Sequence, residues 1–237
     1  MTGAWRVGVV VPARDEEDHV VRCLDAIDAA IGELTSTRPG VRCDVVVVLD
    51  RCTDRTAELV AARPGVRTVD CDAGLVGDAR ARGVQRIAAA ASDPHRTWIA
   101  CTDADSVVPR HWLSAQLDHA DDGHEMVVGL VGVDPAELDP EVRSRLDTER
   151  SIADGHPHIY GANLGFTLAA YQELGGFEPL PAHEDVTLVQ AARRARMSVH
   201  ASGSLRVLTS ARLSGRTPHG FASHLRELTQ SAIPPVA

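Results

Sequence analysis

The first hundred residues alternate between two kinds of segment, and this alternation limits the fold more than any other feature. Apolar, largely β-branched runs at 6–12 (RVGVVVP), 43–50 (CDVVVVLD), 65–71 (GVRTVDC) and 97–103 (TWIACTD) read as strands buried on both faces. Between them lie helical patterns, among them 53–62 (TDRTAELVAA) and 76–91 (VGDARARGVQRIAAAA). Asp15, Glu16, Glu17 and Asp18 suit the first turn of a further helix after the first strand, because acids there favour the helix dipole. Strands alternating with helices require right-handed crossovers, so the expected architecture is an α/β domain with a mostly parallel sheet flanked by helices.

A ligand crevice in such a sheet opens at the carboxyl ends of the strands. Three acidic segments fall there: 12–17 (PARDEE), 49–54 (LDRCTD) and 102–106 (TDADS). In the last, Asp103 and Asp105 stand one residue apart where an apolar strand meets solvent. Two carboxylates at that spacing repel each other unless a cation, a shared proton or water separates them. Beyond residue 120 the regularity fades. Residues 125–133 (EMVVGLVGV) form another strand pattern, 134–160 reads as a helix with flexible flanks, and the tail at 232–237 (AIPPVA) reads as frayed.

Composition excludes several classes. The formal charge of −9 opposes broad binding to nucleic acid or an anionic membrane surface. All 24 basic residues are arginine, which removes a lysine Schiff base and a Walker-type phosphate lysine. The five cysteines show no zinc spacing and read as core fillers in a reducing cytoplasm. No apolar run approaches the ~20 residues of a membrane span, and nothing resembles a signal peptide. The length suits one domain of residues 1–237, with about 1–120 as one half and about 121–237 as the other.

The order of six motifs, VVVPARDEE, VVVVLDRCTDRTAELV, GDARARG, TDADSVVPRHWL, GANLGFTLAAYQELGGF and HEDVTL, resembles the family 2 glycosyltransferases of the GT-A fold over roughly residues 6–220. Each motif is weak alone, and their order carries the specificity. The resemblance implies a Rossmann-like sheet and an enzyme that moves a hexose from a nucleoside diphosphate sugar to an acceptor hydroxyl with inversion. It implies Mn²⁺ or Mg²⁺ as cofactor, and a small-molecule or lipid-intermediate acceptor. A cytoplasmic location fits, and a homodimer is compatible with it.

By the same resemblance Pro12, Ala13, Arg14, Glu16, Asp50, Asp103 and Ala104 would hold the donor nucleotide, with Arg80 near the nucleobase. Asp50 stands alone, since Leu49 and Arg51 flank it where the family usually has a pair of acids. The implied metal ligands are Asp105 and a late histidine, His219, while Arg212 and Arg216 would close over the diphosphate as part of a lid. The implied base is Asp185, with Glu184 beside it, and Gly161 and Asn163 would face the acceptor. Plainer readings exist for each: Asp103 and Asp105 as a solvated turn, Arg80 with Arg82 and Arg86 as a basic helix face, and His183 to Asp185 as a helix start.

Three rivals bear on the function. A haloacid-dehalogenase-like phosphatase would need its acidic loop after the first strand and a later lysine. A sugar nucleotidyltransferase would need a glycine-rich, lysine-bearing first loop, and PARDEE has neither. A non-catalytic sugar-nucleotide-binding protein of the same fold stays open, because of the altered LDRC segment.

Overall fold

The computed structural model describes residues 4–133 and 153–211. The 134–152 part of the expected helical stretch, the tail at 232–237, and Arg212, Arg216 and His219 lie outside them. Strands β1 (Arg6–Ala13), β2 (Arg42–Asp50), β3 (Val66–Cys71) and β4 (Thr97–Cys101) alternate with helices α1 (Val20–Thr37), α2 (Thr56–Ala61) and α3 (Val76–Ala88). β1 pairs in parallel with both β2 and β4, and β2 with β3, as the alternation predicts.

The second half completes the sheet in mixed fashion, through β5 (Ser106–Val107), α4 (Trp112–Asp121), β6 (Met126–Val133), β7 (Leu164–Thr167), α5 (Leu168–Glu173), α6 (Glu184–Arg194) and β8 (Val199–Thr209). The described strands lie in the order β3-β2-β1-β4-β7-β6-β8-β5. β7 runs antiparallel between β4 and β6, which leaves β6 parallel to β4, and β8 parallel to β6. The carboxyl ends of β1, β2, β4, β6 and β8 therefore open on one edge.

Alternate residues of each central strand feed opposite cores. Val7, Val9 and Val11 pack with α1 and α4 around Leu24, Ile27, Trp98, Trp112 and Leu113. Val10, Val46, Val48 and Ile99 pack on the other face against Ile87, Phe166 and Leu188. Each such side chain contributes roughly 1.5–3 kcal/mol of transfer free energy, and burial on both faces explains why these strands read as continuous apolar runs.

α3 lies unusually close to the sheet. A Cβ on Gly83 would stand 2.5 Å from Val10 Cγ1, and one on Gly8 would stand 2.3 Å from Ile87 Cδ1. This approach carries the N-terminal half of α3 toward the open edge.

All five cysteines are free, and Cys23, Cys71 and Cys101 are buried. Burial pushes the Cys101 thiol up to about 12, so it behaves as an inert core side chain. Among the described residues no helix is long and apolar enough to cross a membrane.

The acids at 15–18 do not open α1, whose first turn holds no acidic residue. Asp15 takes a left-handed conformation (φ 49°), and its carboxylate accepts from Thr53 N at 2.7 Å and Thr53 Oγ1 at 3.1 Å. Glu16 N donates to Thr56 Oγ1 at 2.7 Å, and Glu17 N donates to Asp54 Oδ2 at 2.9 Å. These residues lace the loop after β1 to the loop after β2, which fixes one wall of the crevice.

Candidate active site

Register places the acids. Val10 of β1 is level with Cys101, the last residue of β4, and Ala13 is level with Leu49 of β2. Pro12 to Glu16, Asp50 and Asp103 to Asp105 therefore emerge beside one another. Asp50 is buried, and its Oδ1 accepts from Gly74 N at 3.0 Å. The neighbouring Arg51 adopts φ 55° and turns its guanidinium away to Asp72, with Nε 2.6 Å from Oδ1.

The cation that Asp103 needs is Arg80. Its Nη2 lies 2.6 Å from Asp103 Oδ1, and its Nη1 is paired with the Glu184 carboxylate. Arg80 is 3% exposed and Glu184 2%, so neither is a surface group. Burial pulls the Arg80 guanidinium down, but Asp103 and Glu184 outweigh it and hold it above the usual arginine value. Burial likewise pushes both carboxyls up against the pull of Arg80.

Arg80 thus does not lie on a solvated basic face. It is the buried tie between the segment after β4 and the start of α6. Glu184 is turned inward with it and is buried.

Glycines make room for this tie. A Cβ on Gly161 would stand 2.4 Å from Arg80 Nη1, and one on Gly77 would stand 3.0 Å from Glu184 Cγ. The backbone of Gly161 then donates to Asp185 Oδ2 at 2.6 Å, while Val186 N donates to Oδ1 at 2.8 Å. His183, at φ 67°, makes the left-handed turn that sends Glu184 inward and leaves Asp185 partly exposed at the helix start.

Asp105 is held from β8: Thr209 Oγ1 donates to Oδ1 at 3.1 Å and Ser210 Oγ donates to Oδ2 at 3.0 Å. His19 and Arg22 of the α1 start line the same small cleft. None of these four residues was given a role of its own from the sequence. Thr209 and Ser210 sit where a strand runs out into a Ser/Gly-rich segment, which is the only signal that marks them.

Asn163 has a different place from the one expected. It is 1% exposed, accepts from Trp112 Nε1 at 3.0 Å, and donates to the carbonyls of Leu130 at 2.8 Å and Leu205 at 2.9 Å. Both amide hydrogens are spent inside the protein, so the side chain braces the turn before β7. Gly161 is also buried, and its N–H is spent on Asp185.

With this geometry in place, the comparisons are specific. The sequence model of glycosyl transferase family 2 matches residues 8–175. The chain belongs to that family. No curated protein sequence matches it closely enough to count as a relative.

Among solved structures, residues 1–349 of TarS from S. aureus in complex with UDP-GlcNAc superpose with a TM-score of 0.63 at 14% identity, covering 95% of this chain and 65% of that one. The mannosyltransferase PcManGT of Pyrobaculum calidifontis, in complex with GDP-Man and Mn²⁺, gives a TM-score of 0.62 at 19% identity, covering 96% and 61%. Glucosyl-3-phosphoglycerate synthase of Mycobacterium tuberculosis, in complex with Mn²⁺, UDP and glucosyl-3-phosphoglycerate, gives 0.57 at 16%, covering 95% and 76%. The family 2 chain shares the GT-A fold of these proteins, and it spans about three fifths of the length of several of them.

Proposed function

We propose that this family 2 chain transfers a hexose from a nucleoside diphosphate sugar to an acceptor hydroxyl, with inversion and with a divalent cation. The observation that carries the reading is the Arg80 tie, which brings the Asp103–Asp105 segment and the Asp185 helix start to one edge of the sheet. The structural neighbours with UDP, UDP-GlcNAc or GDP-Man support the donor class. Those with Mn²⁺ support the cation.

The donor set fits a hard cation. Asp105 offers carboxylate oxygens beside the hydroxyls of Thr209 and Ser210, and Mn²⁺ or Mg²⁺ prefers such ligands while retaining water. Bound there, the ion would neutralise charge growing on the departing diphosphate. Asp103 is committed to Arg80, which leaves Asp105 as the ligand and Asp103 as a group that faces the donor ribose or the ion's water shell.

Residues 12–16, with Asp50, form the wall against which the nucleoside rests, so about 1–120 is the donor half and the remainder the acceptor half. Asp185 takes the acceptor proton as the hydroxyl oxygen attacks the anomeric carbon opposite the diphosphate. The bond to the diphosphate breaks as the new glycosidic bond forms, and the proton ends on the Asp185 carboxyl. The N–H groups of Gly161 and Val186 fix the orientation of that carboxylate. Glu184 acts through Arg80 as a positioning residue.

The test is a panel of UDP- and GDP-sugars incubated with the protein and Mn²⁺, with and without candidate acceptors, followed by release of nucleoside diphosphate. Acceptor-dependent release from one donor is expected. Tight donor binding with no release under any condition would favour the non-catalytic binder instead.

A further inference from the structure

A second group of potential ligands lies away from the acidic edge. His119 near the end of α4, His124 in the turn before β6 and His200 near the start of β8 bring one ring nitrogen each to within 4.8 Å of one another. The His119 and His200 ring centroids are 4.1 Å apart, and those of His124 and His200 are 5.0 Å apart. All three side chains are half-buried. Along β6, Val127 is paired with His200 and Val133 with Thr209, so the cluster stands about 20 Å from the Asp105 end of β8 at ~3.3 Å per residue.

Three imidazoles packed against one another, two pairs tilted and one edge-on, make poor company without something to share. His200 Nε2 is buried and has no hydrogen-bond partner among the described residues; the nearest carboxylate oxygen, Asp154 Oδ2, is 3.9 Å away, beyond hydrogen-bond reach. His124 Nδ1 lies 2.8 Å from Ser198 Oγ, which leaves Nε2 as the free ring nitrogen. A ligating histidine commonly has its other ring nitrogen held in this way.

From this geometry we propose that His119, His124 and His200 form a binding site for a borderline transition-metal ion of the zinc class, separate from the Mn²⁺ or Mg²⁺ site of the proposed transfer reaction. Three imidazole nitrogens suit Zn²⁺, whereas Mg²⁺ and Mn²⁺ prefer oxygen. Tetrahedral Zn²⁺ with bonds of about 2.0–2.1 Å sets its nitrogens about 3.4 Å apart, so side-chain rotation brings the three rings to bonding distance. Asp154, held at its other oxygen by Gly203 N at 2.8 Å, keeps a carboxylate on the Nε2 side of His200. The ion would clamp α4, the turn after it and β8 together, which is a structural role.

Untagged full-length protein, stripped with a chelator, should bind one Zn²⁺ per chain in competition with a chromophoric chelator. Replacing Zn²⁺ with Co²⁺ should give the intense visible absorption of a tetrahedral site. His124→Gln and His200→Gln, each checked for folding by circular dichroism, should weaken Zn²⁺ binding by at least about tenfold. Asp105→Asn should leave it unchanged. Zn²⁺ affinity that survives in the folded histidine variants, or that disappears in Asp105→Asn, would overturn the site. Because the readout is metal binding alone, the outcome is independent of whether the protein transfers a sugar. Should His200→Gln fail to fold, His119→Gln, which changes a residue on α4 rather than on the sheet, supplies the same comparison.

Discussion

Arg80 Nη2 lies 2.6 Å from Asp103 Oδ1, and the other end of the same guanidinium holds Glu184, so one buried cation joins two segments 81 residues apart in the chain. Replacing Arg80 with Met leaves Glu184 buried beside no cation. A loss of roughly 3–5 kcal/mol is expected from breaking a buried pair on one side. The combined Arg80→Met, Glu184→Leu protein should lose clearly less than the sum of the two single changes in urea unfolding. Additive losses would mean that the two side chains act independently.

Asn163 makes three internal hydrogen bonds, and each partner left unpaired costs about 1–3 kcal/mol. Asn163→Ala should therefore lower the unfolding temperature sharply. At a temperature where the variant remains folded, its KM for acceptor should stay near that of the parent. A stable variant with a much raised acceptor KM would return the residue to the acceptor site.

The Asp15 carboxyl is held below the usual carboxylate range, chiefly by the backbone N–H of Thr53, with burial working the other way. A depressed folded-state pKa stabilises the protein fully above the unfolded value of 3.8, and that contribution is lost as pH falls through the lower folded value. Asp15→Asn should remove part of the acid dependence of the melting temperature and leave the neutral-pH donor affinity changed only modestly. An unaltered acid limb would show that the lacing of the two loops adds nothing measurable.

The first half of the fold was legible in the sequence because a parallel strand covered on both faces has to be apolar throughout. β7 was not, because Leu164–Thr167 is a four-residue strand whose place between β4 and β6 is set by partners remote in the chain. β5, with two residues, carries no pattern at all. The acids at the strand ends were legible as a group, but the behaviour of individual side chains was not. Arg80 was expected near the nucleobase or, more plainly, on a basic face, although Gly77, Arg80, Val84 and Ile87 share a helical stripe that the structure buries. That spacing was the available sign that Arg80 points inward. Asn163 carried no such sign, since its partners lie on α4, β6 and β8.

Asp185→Asn keeps the shape of the carboxylate, and the amide oxygen can still accept from Gly161 N. Transfer should fall by about 10²–10⁴, the usual contribution of a general base, with donor affinity within a few-fold of the parent. Quantifying product by NMR also reads the anomeric configuration. Full activity in this variant, or a product that retains configuration, would place the proton acceptor elsewhere.

In the proposed reaction Asp105 is the residue that couples nucleotide to cation. Isothermal titration of UDP and of GDP, with and without Mn²⁺, into the parent protein and Asp105→Asn measures this directly. The expected result is that one nucleotide binds the parent much more tightly with Mn²⁺ than without, and that the Mn²⁺-dependent gain is absent in Asp105→Asn. Binding that ignores Mn²⁺ in the parent, or a gain that persists in Asp105→Asn, would contradict it.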